Sequence, residues 1–190
     1  MKDEPKLRVF VYIMKQDDPK KCTSAKLVRL GLARPIRARS MIPKRAIVLN
    51  PSAPAVLLPS DREHIQRSGI VAIDCSWNKV GEVFTSRFPG LNRRLPSLLA
   101  ANPVSYGRLG RLSSAEAVAA SLIITGFIEE GERLLGVFKW GHTFLTLNHD
   151  PLIDYSKAKE LKETLEAEGS YFGARSNRAL TLGDSSSISS

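Results

Sequence analysis

The stretch from residue 93 to residue 120 has the features of a ligand-binding loop. It reads RRLPSLLAANPVSYGRLGRLSSAEAVAA, an apolar start followed by a turn-forming segment. Ser113 and Glu116 then match a capping box, in which each side chain accepts a hydrogen bond from a backbone N–H of the first helical turn. The pattern predicts a strand, an irregular loop and a helix. Because α/β proteins bind ligands at the carboxyl ends of strands, it indicates a binding site, although a plain connection between strand and helix gives the same pattern.

Motifs of several common enzyme classes are absent from the sequence. It contains no P-loop, no G-x-G-x-x-G after a strand and no G-x-S-x-G. His64, His142 and His149 lack the spacing of metal ligands, and a surface or structural role is the simpler interpretation of each. Cys22 and Cys75 are the only cysteines, and we expect both to be reduced packing residues. These absences disfavour a phosphate-handling enzyme and a metallohydrolase.

Positive charge is concentrated near the amino terminus. The net charge is +9; residues 1–45 hold 13 Lys and Arg against 4 Asp and Glu, and residues 46–190 hold 15 of each. Such asymmetry indicates a surface that binds a polyanion, although a basic surface kept for solubility gives the same count. The candidates for contacts with RNA phosphates are Lys20, Lys21, Arg29, Arg37, Arg39, Lys44 and Arg45.

Alternating strand and helix patterns must position the central loop. Apolar runs predict strands at residues 7–14, 46–50 and 70–74, and the last is expected to be central because it is apolar throughout. Helices are predicted at residues 20–30, 60–68, 77–88, 113–125, 127–140 and 150–165, and Ser60 with Glu63 matches a second capping box. Pro35 and Pro43 keep the basic segment 34–45 extended. The order indicates an α/β fold with a mostly parallel sheet.

The composition is that of a globular protein, and it suggests two parts and a tail. Apolar residues make up 43% of the chain, but no apolar run approaches the roughly 20 residues of a membrane span. The charged amino terminus lacks a signal-peptide core, so a cytoplasmic location is expected. We expect a smaller basic N-terminal α/β domain at residues 1–70, a C-terminal domain at 71–168 and a disordered polar tail at 169–190.

Four segments of the chain resemble a known enzyme family in their sequence, order and spacing. They are KCTSAKLVRLG at residues 21–31, DCSWNKV at 74–80, LPSLLAANPVSYG with LSSAEAVAA at 95–120, and FKWGHTFLTLN at 138–148. Together they resemble the aminocarboxypropyltransferases that modify small-subunit ribosomal RNA, over residues 7–168. The resemblance implies a SPOUT-like, mostly parallel sheet with a C-terminal trefoil knot. The sequence departs from the family at Thr23-Ser24, where Ser-Gly is expected, and at Ser105, where Asn is expected.

The implied reaction uses S-adenosylmethionine in an unusual way. Its 3-amino-3-carboxypropyl group moves to the ring nitrogen of a uridine or pseudouridine in small-subunit ribosomal RNA, and methylthioadenosine is released. Two alternatives stay open: a SPOUT-type RNA methyltransferase, and a non-catalytic assembly factor that binds ribosomal RNA. The expected partner is small-subunit ribosomal RNA or a pre-ribosomal particle, with no membrane. A monomer is expected, because the N-terminal domain would cover the surface through which many SPOUT enzymes dimerise.

The resemblance also implies a cofactor pocket with three parts. We expect the methionine carboxylate at the hydroxyl of Thr23, and the ribose and methionine end at Ile73 and Asp74. Trp77 is expected to pack against the cationic sulfonium group. The adenine is expected in an apolar slot formed by Leu95, Leu98, Leu99, Ala100, Tyr106, Leu112 and Ser113, with Leu49 and Pro51 as a further wall.

Asp74 is the candidate catalytic residue, because the acceptor nitrogen carries a proton that must leave. An exposed aspartate is a weak base unless burial raises its pKa, so deprotonation by solvent is an alternative. Each assignment also has a structural alternative. Asp74 can cap the following helix, Trp77 can be a core residue, and Thr23 can serve only as a helix start.

Overall fold

A five-stranded parallel sheet organises the fold, in the order β2-β1-β4-β3-β5. The computed structural model of the chain describes residues 7–14, 23–85 and 87–181. The strands are β1 (Val9–Ile13), β2 (Arg34–Ile36), β3 (Ile47–Leu49), β4 (Ile70–Asp74) and β5 (Leu91–Arg93). All four strand pairings are parallel, which confirms the predicted α/β class and its mostly parallel sheet.

Eight α-helices lie within the described residues. They are α1 (Thr23–Arg29), α2 (Arg62–Ser68), α3 (Val80–Val83), α4 (Ser114–Ile124), α5 (Ile128–Leu135), α6 (Gly141–Leu147), α7 (His149–Lys157) and α8 (Leu161–Thr181). Three short 3-10 helices occupy Arg39–Met41, Pro59–Asp61 and Trp77–Lys79. Among the residues that the structure describes, no helix combines the length and the apolar character needed to cross a membrane.

Strand β4 is the middle strand, as its apolar sequence predicts. It pairs with β1 in the register Val9↔Ile70 and with β3 in the register Ile47↔Ile70. Its two faces pack into different apolar clusters: Ile70 joins α4 on one side, and Val71 joins Phe84 on the other. A strand covered on both faces has no reason to alternate apolar and polar residues, which explains its continuous apolar run.

The predicted domain boundary at residue 70 falls at the first residue of the central strand. Strands β1, β2 and β3 precede it and β4 and β5 follow it, yet β4 lies between β1 and β3. The described parts of both segments therefore share one sheet and the apolar clusters on its two faces. At the carboxyl end, α8 continues to Thr181, so residues 169–181 are helical rather than part of the predicted disordered tail. Residues 182–190 lie outside the described part of the chain.

Several helix boundaries differ from their predictions, each for a local reason. The predicted helix at residues 127–140 ends at Leu135, because the chain turns there and brings Gly141 against the Leu135 carbonyl. The helix predicted at 150–165 is two helices, α7 and α8, separated at residues 158–160. The helical face predicted at 77–88 is a 3-10 turn followed by α3 alone.

The second predicted capping box is also wrong in its residues. The side chain of Asp61, rather than that of Ser60 or Glu63, accepts the backbone N–H of Leu58 at 3.2 Å. The short 3-10 helix Pro59–Asp61 inserts before α2, so the position of the box is shifted. By contrast, the box at Ser113 and Glu116 is confirmed, with the Glu116 N–H donating to Ser113 Oγ at 3.3 Å.

Candidate active site

A cavity of about 1460 Å³ lies at the carboxyl ends of β3, β4 and β5. Asn50, Asp74 and Arg93 line it at these strand ends, and α1 contributes Thr23. Residues 102–105 and 108–114 of the central loop, together with Phe138 and Trp140, complete much of the lining. A parallel sheet collects the ends of its strands at one edge, so the cavity lies where α/β proteins bind ligands.

Most of the predicted cofactor-binding residues meet in this one cavity. Those that line it are Thr23, Leu49, Pro51, Ile73, Asp74, Trp77, Leu95, Leu112 and Ser113. They come from five separate segments of the chain, which the sheet and α1 bring together. The candidate base Asp74 is partly buried, at the last position of β4.

Four predicted cofactor-binding residues lie elsewhere. Leu98 and Ala100 have no exposed surface and pack in the main core. They are two positions apart in an extended segment, so their side chains share the face that points to the core. The side chain of Leu99 does not line the cavity, and its backbone N–H and C=O are both bound by Asn148. Tyr106 is 63% exposed, because the loop turns outward there.

Trp77 is fixed to the central loop by its indole nitrogen. Its Nε1 donates a hydrogen bond to the carbonyl oxygen of Leu112, at 2.9 Å. This bond connects the 3-10 turn after β4 to the residue that precedes the capping box of α4. Trp77 is partly buried and lines the cavity, so it is a wall of the cavity and not a core residue alone.

Glu116 holds the backbone of the central loop in place through hydrogen bonds to its buried carboxylate. It is fully buried and accepts hydrogen bonds from the backbone N–H groups of Ala101, Asn102 and Ser113, at 2.7, 2.9 and 2.6 Å. The amide side chain of Asn102 donates to the same carboxylate at 2.7 Å. The capping box therefore extends across the loop, joining its first residues to its last. Four hydrogen bonds to one buried carboxylate fix the backbone of the loop, which is the preorganisation that a binding site needs.

The segment that leads into the loop is held by the C-terminal helices. Asn148 donates to the Leu99 carbonyl at 2.9 Å and accepts the Leu99 N–H at 2.7 Å. The hydroxyl of Tyr155 donates to the Ser97 carbonyl at 3.0 Å, and burial, followed by the charge of Glu168, raises the pKa of that tyrosine. In the described part of the chain, this segment pairs with neighbouring backbone at two isolated bridges and belongs to no strand, so these polar residues satisfy backbone groups that a sheet would otherwise bind.

Two arginines at the cavity are already paired with carboxylates. Arg93 donates to buried Asp61 from Nε and Nη2, both at 3.0 Å. Arg94 donates to both oxygens of Glu168 at 3.3 Å, and the N–H and hydroxyl of Ser97 each donate to that carboxylate at 2.7 Å. Burial favours the neutral form of Glu168, but these hydrogen bonds and the charge of Arg94 outweigh it and lower its pKa.

Other basic residues form an exposed rim. Arg29, Arg108 and Arg111 are exposed and line the cavity. Among the described residues, Arg93 and Arg94 form ion pairs, whereas these three arginines have no carboxylate partner. Arg108 and Arg111 are not among the predicted RNA contacts, because the excess of positive charge in the sequence lies within residues 1–45. Their position within the central loop was the signal that could have identified them.

The predicted basic segment at residues 34–45 lies away from the rim. The predicted contacts Arg37, Arg39, Lys44 and Arg45 do not line the cavity. Arg39 is packed over the ring of Phe88, with its guanidinium carbon 4.4 Å from the ring centre. Lys20 and Lys21 lie outside the described residues. Of the seven predicted RNA contacts, Arg29 lies at the cavity.

Phe138 and Trp140, in the turn before α6, form an aromatic wall beside α1. Phe138 and Trp140 stack with ring centres 4.8 Å apart and an interplanar angle of 29°. Lys26 lies over Phe138 at 4.8 Å, and its ammonium group donates to the Val137 carbonyl at 2.6 Å. All three residues line the cavity, and none was a predicted site residue. The described residues contain no cluster of histidine, cysteine or carboxylate side chains that could hold a metal ion.

Two family models match the chain. The first is described as "Ribosome biogenesis protein, C-terminal" and matches residues 47–172, more than half of the chain. The second is described as "Possible Fer4-like domain in RNase L inhibitor, RLI" and matches residues 7–40. That range contains one cysteine, Cys22, whereas iron–sulfur clusters are held by several cysteine thiolates. The second match therefore brings no cluster to this chain.

Curated relatives match over nearly their whole length. The 16S rRNA aminocarboxypropyltransferase of Thermoplasma acidophilum is 47% identical over 163 residues, which cover 86% of this chain and 97% of that protein. The enzyme of the same name from Methanobrevibacter smithii is 41% identical over 172 residues, covering 89% and 99%.

The fold matches a solved structure as well. The SAM-dependent rRNA:acp-transferase Tsr3 from Vulcanisaeta distributa superimposes with a TM-score of 0.81 at 40% identity, covering 88% of this chain and 89% of that one. Sequence identity, coverage and fold thus agree with the resemblance seen in the four motifs. The chain belongs to the 16S rRNA aminocarboxypropyltransferase family.

Proposed function

We propose that this protein transfers the 3-amino-3-carboxypropyl group of S-adenosylmethionine to the ring nitrogen of a uridine or pseudouridine in small-subunit ribosomal RNA, during ribosome biogenesis. Membership of the family supports the reaction, the cofactor and the RNA substrate. One observation connects the reaction to this chain: Thr23, Asp74 and Trp77, which belong to motifs distant in sequence, line a single cavity. Their presence in one cavity supports the proposal that these three residues bind the cofactor.

The lining of the cavity fits the cofactor. Leu95 and Leu112 offer apolar surface for the adenine, and the Thr23 hydroxyl offers a hydrogen-bond donor for the methionine carboxylate. Trp77 offers an aromatic face for the sulfonium group, and its bond to Leu112 holds it in place. When bound, S-adenosylmethionine supplies a γ-carbon that is reactive because a neutral thioether leaves from it.

Positioning is the main contribution that the chain makes to the reaction. The acceptor nitrogen loses its proton and forms a bond to the γ-carbon, the carbon–sulfur bond breaks, and methylthioadenosine leaves. Correct alignment of reacting atoms can by itself lower a barrier by several kcal/mol. Asp74, at the end of β4, is our candidate for accepting the proton, directly or through water.

The RNA-binding surface combines the exposed rim with the basic N-terminal segment. Arg29, Arg108 and Arg111 surround the cavity, where phosphates beside the modified nucleotide would lie. The predicted contacts farther along the chain, Arg37, Lys44 and Arg45, are exposed as well and can extend the surface. Phosphate contacts position RNA without reading its sequence, so this surface sets affinity more than choice of nucleotide.

The finer features of the fold are also proposals. The C-terminal trefoil knot is a proposal that rests on the family resemblance; in this chain the C-terminal part packs against residues 94–99 through Asn148, Tyr155 and Glu168. The RNA-binding role of residues 1–70 is supported by their share of the positive charge. A cytoplasmic monomer is the corresponding proposal for location and assembly, and light scattering at several protein concentrations tests the monomer.

The test of the reaction uses two labelled forms of the cofactor. The protein is incubated with small-subunit ribosomal RNA and S-adenosylmethionine that carries the label either in the carboxyl group or in the methyl group. We expect carboxyl label in the RNA, no methyl label, and methylthioadenosine as the released product. Methyl label in the RNA would make the protein a methyltransferase. Failure of both labels, together with no measurable cofactor affinity, would favour a non-catalytic RNA-binding factor.

A further inference from the structure

The cavity has room for more than the cofactor. Its volume of about 1460 Å³ exceeds the range of roughly 300–1,000 Å³ in which most small-ligand pockets fall. The residues assigned to the cofactor account for the strand ends and the central loop, but not for the aromatic wall of Phe138 and Trp140. The inference about that wall rests on the proposed function, and it concerns where the acceptor nucleotide lies.

The aromatic wall adjoins the position expected for the reacting carbon. Lys26 follows Thr23 by three residues on α1, so the two side chains lie on the same face of that helix. Thr23 is the residue assigned to the methionine carboxylate, and Lys26 lies over Phe138, which stacks on Trp140. Since the γ-carbon is three bonds from that carboxylate carbon, the acceptor base must enter on this side of the cavity.

The wall is held rigidly enough to act as a platform. Phe138 is only 8% exposed and supports one face of the stacked pair. The Phe138 N–H donates to the Leu135 carbonyl at 2.9 Å, and the Gly141 N–H donates to the Phe138 carbonyl at 3.0 Å, which ties down the turn around Trp140. Trp140 remains partly exposed to the cavity. A large indole kept beside open space at the mouth of an active site suits stacking with a planar ligand.

We propose that Trp140 is the platform on which the acceptor base stacks, with Phe138 and Lys26 as its supports. Enzymes that modify a nucleobase take the base out of its helix and hold it against aromatic side chains, because the ring faces are then the largest surface available. The positive charges of Lys26 and Arg29, both on α1, flank the wall and suit the phosphates on either side of an extruded nucleotide.

Two substitutions of Trp140 separate stacking from packing. Trp140→Leu keeps an apolar side chain against Phe138 but removes the aromatic face, and Trp140→Phe restores such a face. Base–aromatic stacking is worth about 1–3 kcal/mol, so we expect Trp140→Leu to lower kcat/KM for ribosomal RNA by about 5- to 150-fold. Trp140→Phe should recover most of that loss. Cofactor affinity, measured by calorimetry without RNA, should change less than about twofold in both variants.

A second readout does not depend on activity. Trp77 and Trp140 are the only tryptophans, so in a Trp77→Phe background Trp140 is the sole fluorophore of its kind. We expect its fluorescence to be quenched when a small-subunit ribosomal RNA fragment that contains the target nucleotide is added. A fragment with an abasic site at the target should bind with much less quenching. Tyr171→Leu removes an exposed aromatic ring that does not line the cavity, and serves as the control for activity.

The outcomes distinguish this inference from the proposed function. If wild-type protein transfers label to RNA and Trp140→Leu does so with unchanged kcat/KM, the platform is wrong and the function stands. If Trp140→Leu loses cofactor affinity to the same extent as activity, Trp140 belongs to the cofactor site and the inference is again wrong. Equal quenching by intact and abasic fragments also contradicts it. If wild-type protein transfers no label, the proposed function itself fails.

Discussion

At the scale of single residues, Asp74 and Glu116 show two roles for a carboxylate at one site. Asp74 is partly buried and lines the cavity, so it can meet a substrate. Glu116 is fully buried and accepts four N–H groups of the loop and its capping box, so its role is to hold the backbone. Substituting each carboxylate by its amide should therefore affect different measurements.

Replacing Asp74 by asparagine tests proton transfer. If the carboxylate accepts the proton of the acceptor nitrogen, Asp74→Asn should lower kcat by about 100-fold, at the lower end of what a general base contributes. The affinity for S-adenosylmethionine should change far less, because the amide keeps the shape and the hydrogen-bonding reach of the side chain. Single-turnover transfer of carboxyl label and calorimetric binding measure the two quantities. A wild-type rate in the variant would assign deprotonation to solvent.

Replacing Glu116 by glutamine should affect stability first. An amide has one accepting oxygen and places an NH₂ group opposite N–H donors that the carboxylate now binds. Leaving such buried donors without an acceptor should reduce the free energy of unfolding by about 3 kcal/mol. Glu63→Gln is the matched control, since Glu63 is 72% exposed in its pair with Arg67. This substitution should lower the free energy of unfolding by less than about 1 kcal/mol. Urea unfolding measures both, and equal effects would contradict the role assigned to Glu116.

Glu168 should make stability depend on pH in the acidic range. Burial raises its pKa, but hydrogen bonds from Ser97 and Arg94 and the charge of Arg94 outweigh burial and bring the pKa below its ordinary value of 4.5. The ionised form is thus favoured by folding. The contribution of ionised Glu168 to the free energy of unfolding is fully present above pH 4.5. It is lost as the pH falls through the lower pKa that Glu168 has in the folded protein.

The variant Glu168→Gln isolates this contribution. We expect the difference in unfolding free energy between wild type and variant to be largest near neutral pH and to shrink below pH 4.5. Urea unfolding of both proteins from neutral to acidic pH measures the difference. A difference that stays constant over that range would show that the charge of Glu168 is not what stabilises the segment at Arg94 and Ser97.

At the scale of elements, α4 and α5 approach each other more closely than most helices can. A Cβ placed on Gly131 would lie 2.8 Å from Ile123 Cγ1 and 2.9 Å from the Ala119 carbonyl oxygen. Contacts this short require the backbone of one helix to move. The glycine therefore permits the packing of α5 on the buried helix α4, whose first turn holds the active-site loop.

Two glycine-to-alanine substitutions in this region should have opposite effects. Gly131→Ala should destabilise the protein by about 1–3 kcal/mol, the usual cost of overpacking a core. At Gly136, a Cβ would meet the Glu132 and Arg133 carbonyl oxygens at 3.4 and 3.5 Å, which is ordinary contact. Gly136→Ala should be neutral or stabilise by up to about 1 kcal/mol, because it reduces the freedom of the unfolded chain. Thermal unfolding compares them, and equal losses would contradict the close packing.

Local signals explain which elements could be predicted from sequence. The central strand is a continuous apolar run, and the Ser113–Glu116 box is a bond between residues three apart, so each is visible within a short window. The partners of Arg93 and Arg94 are 32 and 74 residues away, and Asn148 reaches Leu99 across 49. No local pattern marks such pairs, since tertiary folding alone brings them together.

The same distinction applies to the site residues. Asp74 is the last residue of a predictable strand and Trp77 follows three residues later, and the cavity lies at that strand end. Leu98 and Ala100 belong to the same apolar run as Leu95, but an extended chain directs alternate side chains to opposite faces, and the run by itself does not show which face the cavity occupies. Phe138 and Trp140 reach the cavity only because the chain turns after α5.

At the scale of the whole molecule, positive charge lies at two places, which a count of charged residues along the sequence does not separate. The excess of +9 within residues 1–45 points to the N-terminal segment. In the folded chain, exposed Arg108 and Arg111 from the central loop join Arg29 beside the cavity, while Arg93 and Arg94 are paired with carboxylates. RNA affinity as a function of salt concentration can show which location binds the phosphates.

The salt dependence of RNA binding should decrease when the rim is neutralised. Each phosphate contact contributes about 0.7–0.9 to the slope of log affinity against log salt concentration, because counterions are released. If Arg108 and Arg111 each contact one phosphate, the double alanine variant should lower the slope by about 1.4 to 1.8. The matched control neutralises Lys44 and Arg45, which are also exposed but lie away from the cavity. Dissociation constants for a small-subunit ribosomal RNA fragment, measured from about 50 to 200 mM salt, give both slopes. A slope that falls only in the control would place the phosphate contacts on the N-terminal segment. A slope that falls in both variants would show that the RNA-binding surface is continuous from that segment to the rim.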